Sequence, residues 1–132
     1  MVLRASREMI ETGELDAADE IIHREFVNHE AHPQHRRGVE GYKQTVQWLR
    51  ETFGEPRFDV EDVVAGGDKV VLRARFRGRH TGELMGRPGT GKEFDVQHIH
   101  IFRLADGKVI EHWANRDDIG MLQQLGLLPG GS

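Results

Sequence analysis

Residues 93–116, EFDVQHIHIFRLADGKVIEHWANR, decide the reading of this chain. Two runs with period-two alternation flank Ala105-Asp106-Gly107, which is the signature of a β-hairpin. A two-residue Asp-Gly turn would pair Ala105 with Lys108 and set Phe102 against Glu111. A three-residue loop with Gly107 as a left-handed bulge pairs Leu104 with Lys108. Phe102 then meets Ile110, His100 meets His112, and His98 meets Ala114. The second register is preferred because it keeps Phe94, Val96, Phe102 and Ile110 on one face, whereas a one-residue slip would place Glu111 there. It also gathers His98, His100 and His112 on that covered face, where cross-strand Cβ atoms lie about 4.5–5.5 Å apart. The opposite face then carries Ile99, Ile101, Val109 and Trp113. That patch is too apolar to leave wet, and it predicts a homodimer through Ile99, Ile101 and Trp113.

Buried imidazoles need hydrogen-bond partners. Two readings of the cluster stay open: histidines satisfied within a core, or a polar group that orients a ligand and moves a proton. His-x-His with a third histidine on the next strand also fits some zinc sites. No inner-face carboxylate is evident to orient an imidazole behind such a metal, so no metal and no cofactor are expected. His80, on the face of Phe76, points toward the same space.

The pattern extends outward from the hairpin. Lys69–His80 reads as a long strand with Val70, Leu72, Ala74 and Phe76 on one face. Arg73, Arg75, Arg77 and Arg79 share the other, which is expected to be solvated and paired with carboxylates such as Asp59 and Glu61. TGELMGRPGTGK (81–92) joins two strands and lacks the order of a phosphate-binding loop. Phe58–Val64 forms a further strand, with a turn at Gly66-Gly67-Asp68. Upstream, Val39, Tyr42, Val46, Leu49 and Phe53 make one helical stripe over residues 39–53, stopped by Gly54 and Pro56. Residues 2–12 and 15–25 read as helices, with Gly13 between them. Val27-Asn28-His29 is a short extended piece, and HEAHPQHRRG (29–38) is a loop. DDIGMLQQLGLL (117–128) is a short amphipathic tail helix in which Asp117 and Asp118 cap the start. Helices followed by a strand meander give an α+β class, with the helices on one face of the sheet.

The chain has 132 residues, 30% charged residues, no cysteine and a net charge of −4. Length suits a single domain over 1–132, with 127–132 as a tail. The charge argues against nucleic acid, and no apolar run approaches the roughly 18 residues of a membrane span. Acidic residues near the N-terminus argue against a signal peptide, so a cytoplasmic setting is expected. The absence of cysteine removes thiol chemistry.

With FVNHEAHP, GVEGYKQTVQWLRETF, RGRHTGELMGRPGTGK, FDVQHIHIFRLADGK and GKVIEHWANRDDIGMLQQLG in this order, the chain resembles the SnoaL-like polyketide cyclases, or ester cyclases. The resemblance covers about residues 5–126. It implies the nuclear-transport-factor-2-like cone, in which N-terminal helices pack on a strongly curved mixed or antiparallel sheet around an internal pocket. It also implies sheet-mediated oligomers. In such cyclases an Asp on the last strand is the acid/base of an intramolecular aldol closure, helped by a histidine on the preceding strand and an Asn. His100 and Asn28 match the last two; Ala114 stands at the Asp position.

The expected function is therefore to bind a small, largely apolar, oxygenated molecule, with cofactor-free acid/base chemistry beside a carbonyl. His100 or His112 would be the base and the other would stabilise the enolate, with His98 beside them. Asn28, His29, Trp48, His80, Met85 and Ala114 would contact the ligand. The rival is a non-catalytic ligand-binding or dimerisation module. A hydrolase of epoxides or esters would need carboxylates around an arginine inside, and none is evident.

Overall fold

The helical stripe that begins at Val39 folds as α3 (Gly38–Thr52), and the computed structural model describes residues 2–3 and 7–128. Ahead of α3 lie α1 (Met9–Thr12), α2 (Ala18–Ile21), β1 (Ile22–Asn28) and a 3₁₀ turn (Pro33–His35). Behind it come β2 (Phe53–Gly66), β3 (Lys69–His80), β4 (Glu93–Ala105), β5 (Lys108–Arg116) and α4 (Asp118–Gln124). The five strands form one sheet in the order β1-β5-β4-β3-β2. β1 runs parallel to β5, and the other pairs are antiparallel, so the sheet is mixed. Phe26, Tyr42, Val46, Phe53, Leu72 and Phe102 are buried together between the helices and the inner face of the sheet.

Gly13 terminates α1 in the left-handed region at φ 76°, as its position suggests. Arg50 of α3 donates to the carbonyls of Ile10 and Glu11, each at 2.8 Å, and so ties α1 to α3. The helix expected over residues 15–25 is corrected to a single helical turn followed by a strand. Ile22 and Phe26 are four apart, an interval that suits one face of a helix and one face of a strand equally well. Partnering with β5 decides for the strand. β2 starts at Phe53 rather than Phe58, and Pro56 sits within it. An edge strand tolerates proline, and the ladder is irregular there between Gly54 and Arg57.

The hairpin differs from both registers considered above. Its turn has two residues, Asp106 and Gly107, at φ 54° and 72°, the twist that suits a tight hairpin. The bulge lies instead at Ile110, between the pairs Leu104–Val109 and Arg103–Glu111. Phe102 therefore meets His112, His100 meets Ala114, and His98 meets Arg116. The turn and the bulge together shift the pairing by two residues from the expected register, so every side chain keeps its expected face beyond the bulge. Before the bulge the faces exchange: Val109 is fully buried in the core rather than outside, and Ile110 is only half-buried.

The arginine stripe is solvated and paired, as expected. Arg73 meets Asp62 at 2.6 Å and Arg79 meets Glu93 at 2.7 Å. Between them, Arg75 meets Asp95 at 2.9 Å and Arg77 meets Asp59 at 3.0 Å. α4 closes the far side. Asp117 accepts from the Gly120 amide at 2.8 Å, while Met121 and Leu125 are buried. Gln124 docks on β4 by accepting from Asp95 N at 2.7 Å and donating to Asp95 O at 3.1 Å. Of the expected tail, residues 129–132 lie outside the described residues.

Candidate functional site

Strand alternation delivers His98 and His100 from β4 and His112 from β5 to the inner face, where all three are buried. The rings are joined in a line. His98 Nδ1 lies 3.1 Å from His100 Nε2, and His100 Nδ1 lies 2.8 Å from His112 Nε2. The line ends where His112 Nδ1 lies 2.8 Å from Asn28 Oδ1, at the end of β1. Phe58, Phe76 and Phe102 wall the rings at centroid distances of 5.6, 5.1 and 4.8 Å from His98, His98 and His112 respectively.

This line has a direction. Asn28 Oδ1 also accepts from the Glu30 amide at 3.0 Å, which fixes the orientation of the carboxamide. A carbonyl oxygen only accepts, so His112 Nδ1 carries the proton. In a neutral ring, His112 Nε2 must then accept from His100 Nδ1–H. By the same rule His100 Nε2 accepts from His98 Nδ1–H. All three rings are Nδ1–H tautomers, and the last atom, His98 Nε2, keeps an unprotonated lone pair.

The rings stay neutral because charge is costly there. Burial first, then His100 and Arg116, push His98 down from 6.5 to about 3. Burial and then Arg116 push His100 down from 6.5 to about 4. Burial, with His100 and Arg116 behind it, holds His112 well below its ordinary value. Among the described residues no group of three or more His, Asp or Glu side chains is arranged to hold a metal. Within the line, the nitrogens that would bind a metal face one another.

Of the three rings, His98 borders a cavity of about 200 Å³, shared with Trp48, Phe53, Phe76, Met85 and Arg116. His100, His112 and Asn28 border only a space of about 60 Å³ deeper in the core. Trp48 and Met85 border the cavity of about 200 Å³, Met85 on an exposed turn at φ 52°. Ala114 faces His100 but borders neither cavity.

Two expected ligand contacts are corrected. His29 begins the turn after β1, and its side chain lies on the opposite face. There its Nε2 meets Glu111 at 2.9 Å and its ring stacks on Trp113 at 5.1 Å. His80 is fully buried but turned toward the 81–92 loop, where Nδ1 accepts from the Thr90 amide at 3.1 Å.

Two charged residues of this cavity, Arg116 and Asp118, were missing from the site expected from the sequence, as were the apolar Leu84, Met121 and Leu122. Arg116 was legible in the sequence, because 112, 114 and 116 alternate onto one face. Asp118 reaches the cavity because α4, which follows β5, turns back to pack on β4.

Comparison with known proteins places this geometry among relatives. Residues 1–125 match the model of the SnoaL-like polyketide cyclases. An aklanonic acid methyl ester cyclase of Streptomyces peucetius is 35% identical over 128 residues, covering 95% of this chain and 88% of the relative. A nogalonic acid methyl ester cyclase of Streptomyces nogalater is 36% identical over 118 residues, covering 87% of each. The structure of TsrD from Streptomyces laurentii superposes with a TM-score of 0.87 at 31% identity, covering 96% of this chain and 93% of that one. IdmH from Streptomyces antibioticus gives 0.78 at 32% identity, covering 94% and 95%.

Proposed function

Because the chain belongs to the SnoaL-like polyketide cyclase family, we propose that it closes a ring on a polyketide ester by abstracting a proton beside a carbonyl. The observation that carries this reading is the direction of the histidine line, which leaves Nε2 unprotonated on His98, the one ring of the three that borders the cavity of about 200 Å³. The base assignment thus moves from His100 or His112, whose nitrogens are both engaged, to His98. His100 and His112 act as positioning residues that hold the tautomer of His98, with Asn28 as the anchor. General-base groups contribute about 10²–10⁴ in rate.

Burial makes His98 a weak base, so the reacting C–H must itself be acidic, as between two carbonyls. The methyl esters named for the two relatives indicate the compound class to try first. Ala114 favours a second reading, binding without turnover, since the position that carries Asp in the resembled cyclases has no proton to transfer. Self-association belongs to the same proposal. Val64, Val71, Ile101 and Trp113 are aligned in register across the outer face, giving a second copy an apolar stripe to cover.

The test is turnover of aklanonic acid methyl ester by the wild-type protein and by His98→Ala. The expected result is ring closure by the wild type, falling about 10²–10⁴-fold in the variant with an unchanged circular dichroism spectrum. Saturable binding without product, or equal rates in both proteins, would overturn the catalytic reading.

A further inference from the structure

Two cavities meet at one guanidinium. The cavity of about 200 Å³ beside His98 and a second one of about 400 Å³ toward residues 30–35 share the side chains of Trp48, Leu49 and Arg116. Arg116 ends β5 on the inner face and lies opposite His98 in the β4–β5 register. Its side chain is 35% exposed, and the one ion pair described for it, to Asp118, spans 3.9 Å. Among the described residues none accepts a hydrogen bond from its N–H groups. This contrasts with Arg73, Arg75, Arg77 and Arg79, each of which meets a carboxylate at 3.0 Å or less. A fork of five donors is therefore largely unspent at the wall between two cavities.

We propose that Arg116 binds a delocalised oxyanion, a phenolate or the enolate of a β-dicarbonyl, in one ligand that spans both cavities. The apolar body of the ligand lies in the smaller cavity, against Phe53 and Phe76, and the remainder extends past Arg116 into the larger one. The enolate form of the ligand rests on the cyclase reading above; the anion site itself does not. The titratable groups around Arg116 are Asp118 from α4, His98 from β4, and Glu30, His32 and His35 at the larger cavity. The geometry also couples the two ends of the chemistry. The positive charge of Arg116 disfavours protonation of His98. An oxyanion seated on Arg116 offsets that charge, so His98 becomes more basic as the enolate forms.

The probe is 4-nitrophenol, whose ionisation is read from the phenolate absorbance, with 4-nitroanisole as the neutral control. Wild-type protein is expected to bind the phenolate saturably and to lower the bound probe's pKa by about 1 or more, a tenfold preference for the anion. Arg116→Gln should lose that shift and bind 4-nitroanisole unchanged, and Arg116→Lys should retain part of the shift. His98→Ala should keep the shift. No ring closure by the wild type, or equal closure in His98→Ala, with the shift intact, therefore counts against the cyclase reading alone. An equal shift in Arg116→Gln, equal loss of phenolate and nitroanisole binding, or no saturable phenolate binding at millimolar probe would overturn the anion site.

Discussion

On the outer face of β3, four arginines stand among carboxylates of β2 and β4, each partly exposed and charged. On the inner face of β4 and β5, three histidines and Asn28 meet one another, buried and neutral. Both faces arise from polar residues at every second position. What separates them is water. A charge is affordable outside because solvent and counter-charges share its cost. Inside, only a group that both donates and accepts while neutral can extend a line of hydrogen bonds, and imidazole is such a group. The outer face therefore holds exchangeable pairs, whereas the inner face holds a single directed line whose members depend on one another.

The largest expected effect comes from cutting that line. His100→Leu leaves the His98 Nδ1–H and His112 Nε2 without partners, and each orphan costs about 1–3 kcal/mol. Chemical denaturation should show a loss of roughly 2–6 kcal/mol on that basis. A change below about 1 kcal/mol would mean that the three rings do not act as one unit.

Next in size is the outer apolar stripe. Trp113→Glu should weaken self-association by about 2 kcal/mol or more, the range of a buried aromatic anchor, as read by sedimentation at several concentrations. A wild-type monomer at micromolar concentration would remove the proposed dimer.

Acidification should act on the inner face. The inner rings bind protons less readily folded than unfolded, so stability is fully present above about pH 6.5 and falls as pH drops toward 4. Each ring contributes a slope of about 1.4 kcal/mol per pH unit over that window. Asn28→Asp places a carboxylate against His112, favours the charged ring and should flatten the slope. A slope unchanged in Asn28→Asp would show that Asn28 does not anchor the line. The smallest effect belongs to the outer ion pairs. Arg75→Gln should change stability by less than about 1 kcal/mol, and less still in high salt. A larger, salt-independent loss would make the two faces alike.

The faces were easier to read from the sequence than the pairing. Period two placed Leu72, Ala74, Phe76, His98, His100 and His112 on the covered side, because alternation depends on local geometry alone. The register depended on Asp106, Gly107 and Ile110 acting together. A tight turn with a later bulge differs by two residues from a three-residue loop, and it leaves the same sides covered beyond the bulge. Val109, before the bulge, is where that equivalence breaks. β1 was misread because Ile22 and Phe26 satisfy both periods, and only the distant β5 distinguishes them. His29 was expected to contact the ligand because it follows Asn28 directly, but in the turn after β1 it meets Glu111 and Trp113 instead. The direction of the histidine line was not legible at all. It rests on a local turn in which the Glu30 amide holds the Asn28 carboxamide, and on the pairing of β1 with β5 that sets Asn28 beside His112, which no spacing announces.

The measurement closest to the central claim is the tautomer of each inner ring, read from side-chain ¹⁵N chemical shifts of the uniformly labelled protein. The account predicts that His98, His100 and His112 each carry the proton on Nδ1 at neutral pH, with Nε2 of His98 unprotonated and no titration near 6.5. Proton on Nε2 of His98, or protonation of that ring near its ordinary value, would contradict it.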